Sequence, residues 1–138
     1  MWTKWRCFSK EELNNCSESP GVYYIRWIKA GGKAVPIGRL RCVDQEGTLY
    51  IGMTGKGRSA GIYKRLWTFW KAVSRKSGAP HSGGKRFQRV LSRHIPLGSL
   101  QFCYRRLKNT AQAERVEKEC LLDYQKKFWE LPPLNSAE

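Results

Sequence analysis

Apolar positions along the chain recur with two periods, and each period marks a different kind of element. In Gly21–Ile28 (GVYYIRWI), Tyr23, Ile25 and Trp27 fall on one face, with Val22, Tyr24 and Ile28 on the other. Aromatic and β-branched residues on both sides predict a strand covered on both faces. Thr48–Gly52 (TLYIG) predicts a second strand, and Ser99–Leu107, with Leu100, Phe102 and Tyr104 alternating, a third. The Gly-rich, basic stretch between the first two, Lys29–Gly47, predicts an extended hairpin with a short strand at Leu40–Val43. Helical spacing appears in Ile62, Leu66, Phe69, Trp70 and Val73, predicting a helix over Gly61–Arg75. Phe87, Val90, Leu91 and His94 predict another, closed by Pro96 and preceded by a flexible break at Ser77–Gly84. Thr110 is placed to cap a long helix reaching Trp129 before Pro132-Pro133, and Ser9 with Glu12 in capping-box spacing starts a short helix over Lys10–Asn15.

These elements predict an α/β (α+β) fold, a central, mainly antiparallel three-stranded sheet flanked by helices. Residues 1–20 read as an N-terminal extension with its short helix, and residues 21–135 as one domain. At 138 residues with 41% hydrophobic positions, the chain can bury a core, and disorder is excluded. Charge adds what the pattern does not show. Lys and Arg number 26 against 11 Asp and Glu, a formal charge of +15, which points to a polyanionic partner. No apolar run approaches the roughly 18 residues of a membrane span. Without a signal-like start, the expected location is cytoplasmic, or nucleoid or nuclear wherever its DNA is, and not secreted. Cys7, Cys16, Cys42, Cys103 and Cys120 contain no C-x-x-C pair, so reduced, structural thiols are expected rather than disulfides or a zinc site.

One carboxylate breaks the pattern of the last helix. At 100° per residue, Ala113, Cys120, Leu121, Tyr124 and Phe128 all lie within about 60° of Glu117. Glu114 and Glu119 fall about 60° and 160° away, where solvated carboxylates belong. An ionised group in an apolar stripe is costly unless it is paired, hydrogen-bonded or bound to metal. A structural ion pair with one of the many arginines and a hard-cation site are the two readings of Glu117.

Gly21-Val22-Tyr23 and Tyr50-Ile51-Gly52, followed by Arg65-Leu66 on a helix, Glu117 four residues after Ala113 on the last helix, and a closing Pro133-Leu134-Asn135, stand in an order that resembles the GIY-YIG nucleases. The resemblance covers residues 21–135. The 26 residues between Tyr23 and Tyr50 exceed the compact hairpin of the shortest members, so Lys29–Gly47 reads as an elaboration. Met53 directly follows the second motif, leaving Lys56 as the nearest lysine, and Phe69 stands where many members place His or Tyr.

The resemblance implies a metal-dependent DNA endonuclease, restriction-like, phage-type or structure-specific, using Mg²⁺ or Mn²⁺. Tyr50 would be the general base, its phenol lowered by a cation such as Lys56, and Tyr23 would orient the water or phosphate. Arg65 would stabilise the transition state, Glu117 would hold the metal, and Asn135 would buttress the site by hydrogen bonds. Lys56, Arg58, Lys64, Lys85, Arg86 and Arg89 are expected to contact DNA phosphates, with a solvated basic face as the alternative. His81 is either a surface residue of its flexible segment, a phosphate contact or a proton donor. Trp67 and Trp70 read as core or interface aromatics. A homodimer is expected if both strands are cut. The competing class is a catalytically inert basic module that binds nucleic acid or protein.

Overall fold

A computed structural model of the chain describes residues 1–54, 61–74 and 81–136. Its frame is a four-stranded antiparallel sheet. Strands β2 (Gly21–Trp27), β5 (Thr48–Met53) and β6 (Leu100–Arg106) are the three expected from alternation. The fourth, β1 (Arg6–Cys7), corrects the three-stranded expectation. It pairs with Phe102 and Gln101 of β6, giving the order β1-β6-β2-β5. Two residues carry no alternation, so β1 left no trace in the pattern. The segment around it is integral to the packing: Phe8 and Leu13 lie in the main core, Leu13 on α1 (Lys10–Asn14), where the Ser9 side chain accepts from Glu12 N–H.

The strands sit between two apolar layers. On one side Tyr23, Ile25, Tyr50 and Phe102 pack with Ile62, Leu66 and Phe69 of α2 (Ile62–Ser74). On the other, Val22 and Ile51 pack with Ala113, Val116, Tyr124 and Phe128 of the long helix. That helix is α4 (Thr110–Phe128), and its N-cap is Asn109, whose side chain accepts from Gln112 N–H, rather than Thr110. Asn and Thr adjoin there and both can cap, so only the backbone geometry chooses between them.

Two further expectations are corrected. Between β2 and β5 the short strands are β3 (Ile37–Gly38) and β4 (Val43–Asp44), and residues 40–42 form the bend between them, with Cys42 at a φ of +64°. The helix expected around Phe87 is split into α3 (Ser82–Arg86) and one π-helical turn, Phe87–Leu91. α3 begins where the flexible break was expected, because the His81 side chain accepts from Gly84 N–H as its cap. All five cysteines are free.

One irregularity positions the site. β2 and β5 stay in register from Val22 opposite Met53 to Ile25 opposite Tyr50, and then Arg26 lies opposite Thr48. Leu49 is therefore an extra residue, a β-bulge that sends Leu49 and Tyr50 into the same core layer although they are consecutive.

Candidate active site

Adjacent strands bring the two motif tyrosines together. Their ring centroids are 6.0 Å apart, and both rings are buried. Gly52 makes this approach feasible: a Cβ there would lie 2.6 Å from both the Tyr23 hydroxyl and the Tyr50 ring. Gly83 does the same from α3, where a Cβ would sit 2.6 Å from Tyr50. Gly52 and Gly83 are thus both fixed by ring packing, and the Gly83-Gly84 doublet after His81 was the available sequence signal of that close approach.

His81 completes the aromatic group. It is 0% exposed, its ring 5.3 Å from Tyr50 and 5.1 Å from Phe69, and its Nε2 is 2.7 Å from the Tyr23 hydroxyl. This corrects the expectation of a surface residue in a flexible loop. Phe69 occupies the position where an auxiliary His or Tyr was looked for, and it supports His81 edge-on instead. Burial, aided by the charge of Arg65, lowers the imidazole to a pKa of about 3, so the ring is neutral at physiological pH.

Charge enters from two helices. Arg65 of α2 hydrogen-bonds Tyr23, and its positive charge acts on Tyr50, His81 and Glu117. Glu117 of α4 is half-buried, and its negative charge acts on both phenols. Burial raises the Glu117 carboxyl, as does Glu114, against the pull of Arg65 and Lys118. Arg65 acts on the carboxylate as the ion-pair reading expects, without cancelling its desolvation. Among the described residues no group of three or more His, Cys, Asp or Glu converges, so a cation on Glu117 would take most of its ligands from water and substrate oxygens. A single, poorly solvated carboxylate suits Mg²⁺, which keeps several waters.

Burial also raises both phenols, Tyr23 most strongly. The expected lowering of Tyr50 is therefore reversed: Arg65, Arg86 and a hydrogen bond with Ser82 oppose burial without overcoming it. Both hydroxyls are protonated at neutral pH.

The last matched residue works through the backbone. The Asn135 side chain accepts from Ile51 N–H at 3.0 Å and donates to Ile51 C=O at 2.8 Å, while Leu134 N–H donates to Leu49 C=O at 2.9 Å. Residues 134–135 therefore cover the free edge of β5 on either side of Tyr50.

The basic residues divide. Lys64, Lys85 and Arg89 are exposed, on α2, on α3 and in the π turn. Arg86, expected to meet phosphate, donates to the Leu134 carbonyl, and so ties α3 to the segment that carries Asn135. Lys56 and Arg58 lie outside the described residues. Trp67 and Trp70 pack against the main core, with Trp70 stacked on Phe8. Among the described residues, Ser82 and Gly83 adjoin Tyr50 and were not singled out by the sequence reading. A separate groove of about 490 Å³, lined by Trp2, Trp5, Tyr24, Cys103 and Tyr124, lies on the opposite sheet face. No family model, curated protein or solved structure matches the chain.

Proposed function

We propose that this protein is a GIY-YIG-type, metal-dependent DNA endonuclease that hydrolyses phosphodiester bonds. One observation supports the reading above others. Tyr23, Tyr50, Arg65 and Glu117, scattered over most of the sequence, interact electrostatically as one group, and Asn135 is bonded to the residue after Tyr50. A desolvated carboxylate acting together with two buried phenols and a guanidinium is the pattern of perturbed groups that functional sites display.

The division of labour follows from the groups. Arg65 offers a planar, permanently charged fork for the phosphoryl oxygens. Tyr23, held by His81 and Arg65, orients the attacking water or the phosphate. Tyr50 takes the water proton only as its phenolate, formed by loss of the phenolic proton to bulk solvent; its raised pKa makes this the minor form at neutral pH. Glu117 would hold Mg²⁺ or Mn²⁺, which would supply charge stabilisation at the scissile phosphate and the leaving 3′ oxygen. The exposed Lys64, Lys85 and Arg89 would contact phosphates without reading sequence. Cutting both strands would take two such sites and hence a dimer.

Plasmid nicking tests the proposal. Nicked product in Mg²⁺, lost with EDTA and in Glu117→Ala, is expected. Binding without cleavage in Mg²⁺ or Mn²⁺ would instead make the chain an inert basic module.

A further inference from the structure

The hairpin inserted between the two tyrosine strands is clamped onto the end of α4. Arg41 N–H donates to Phe128 C=O at 3.2 Å and Leu40 N–H donates to the Glu130 carboxylate at 2.7 Å. Arg39 pairs with the same carboxylate at 2.9 Å and donates to Leu131 C=O at 2.7 Å. The surface this clamp builds is both apolar and cationic. Leu40 is 74% exposed, Val43 is also exposed, and Trp129 is 63% exposed. Arg41, Lys126 and Lys127 are exposed beside them, whereas Glu130 is occupied by Arg39.

Trp129 is the anomaly. It takes a φ of +64° directly after α4, a left-handed position that glycine usually fills, and it belongs to neither core cluster. A bulky residue there strains the backbone and leaves its indole in water. Its aromatic contact is the Arg41 guanidinium, 5.7 Å from the ring centroid.

We propose that Trp129, with Arg41 over its ring, is a stacking platform for an unpaired nucleobase. The inference rests on the DNA reading above and narrows the substrate to DNA carrying a single-stranded or extruded base near the cut. Indole stacks on any base face, and the surrounding cations suit the phosphates on either side. Asn135 is six steps along the chain from Trp129, so the platform lies no more than about 22 Å from the edge of the Tyr50 strand. At about 3.4 Å per nucleotide, the stacked base falls within about six nucleotides of the cleaved bond.

The test measures anisotropy of labelled single-stranded and fully paired oligonucleotides of equal length, in EDTA, across a salt series. Trp129→Ala is expected to weaken single-strand binding about 5- to 150-fold, the range set by one stacked base, and duplex binding by less than about twofold. The slope of log Kd against log salt stays unchanged, because no phosphate contact is removed. Trp129→Phe restores most of the affinity. Trp129→Gly raises the melting temperature while binding as poorly as the alanine variant, which separates the platform from a structural role. Unchanged single-strand binding in Trp129→Ala, equal losses for both DNA forms, a lower melting temperature for Trp129→Gly, or a wild-type dimer that Trp129→Ala dissociates would each overturn it. A wild type that binds DNA and never cuts it, with the Trp129 effects intact, removes the nuclease reading and leaves the platform. Cleavage with Trp129→Ala binding like wild type does the reverse.

Discussion

The Tyr23 hydroxyl lies 2.7 Å from Nε2 of His81, a residue 58 positions away in the chain. The other ring nitrogen fixes the sense of this bond. Gly84 N–H can only donate, and it points at His81 Nδ1 from 3.1 Å, so in the neutral ring Nε2 carries the proton. His81 therefore donates to the Tyr23 oxygen, and Tyr23 keeps its own proton.

This arrangement makes stability depend on pH. The imidazole is depressed to about 3 in the fold and sits near 6.5 when unfolded, so the unfolded chain binds the extra proton between those values. The contribution is complete above about pH 6.5 and is lost as pH falls toward 3, with a slope of up to about 1.4 kcal/mol per pH unit. Urea melts from pH 7 to 5 should show this slope in wild type and a shallower one in His81→Gln. Parallel slopes would mean that another group carries the dependence.

Glu117 is expected to trade stability for activity. Its carboxyl is raised by burial, so the ionised form opposes folding above the ordinary carboxylate pKa, and Gln mimics the preferred neutral form. Glu117→Gln should melt no lower than wild type at pH 7 and lose at least about 100-fold in cleavage. Millimolar Mg²⁺ should raise the wild-type melting temperature and leave that of Glu117→Gln unmoved. An equal rise in both would place the cation elsewhere.

A raised Tyr50 has a kinetic signature. If its phenolate is the base, kcat/KM should climb about tenfold per pH unit from pH 7 to 9 without levelling, because the free-enzyme phenol titrates above its usual value. A plateau below pH 8 would point to a different base.

Cations on the surface and in the site should separate kinetically. Arg65→Ala should reduce kcat by about 100- to 1000-fold with little change in DNA affinity. Lys85→Ala with Arg89→Ala should weaken binding and lower the salt slope by about 2, with kcat retained. Arg86→Ala belongs to neither class. It should lower stability through Leu134, read as a shift in urea midpoint without a change in salt slope.

Local periodicity made β2, β5, β6, α2 and α4 legible in the sequence, because each buries a stripe or face long enough to repeat. The same periodicity exposed Glu117, since a carboxylate inside an apolar stripe is visible without coordinates. β1 escaped, and the hairpin between β2 and β5 was legible while its strand bounds were not, because two-residue strands exist only through their partners.

Ordered motifs nominated Tyr23, Tyr50, Arg65, Glu117 and Asn135, but nothing along the chain could say how they are aimed or charged. The bulge at Leu49 that directs Tyr50, the Asn135 bonds that secure Ile51, and the burial of His81 all depend on contacts spanning tens of residues. Protonation was decided at the same level. Desolvation is a property of the assembled core, and at Tyr50 it outweighs the charges of Arg65 and Arg86.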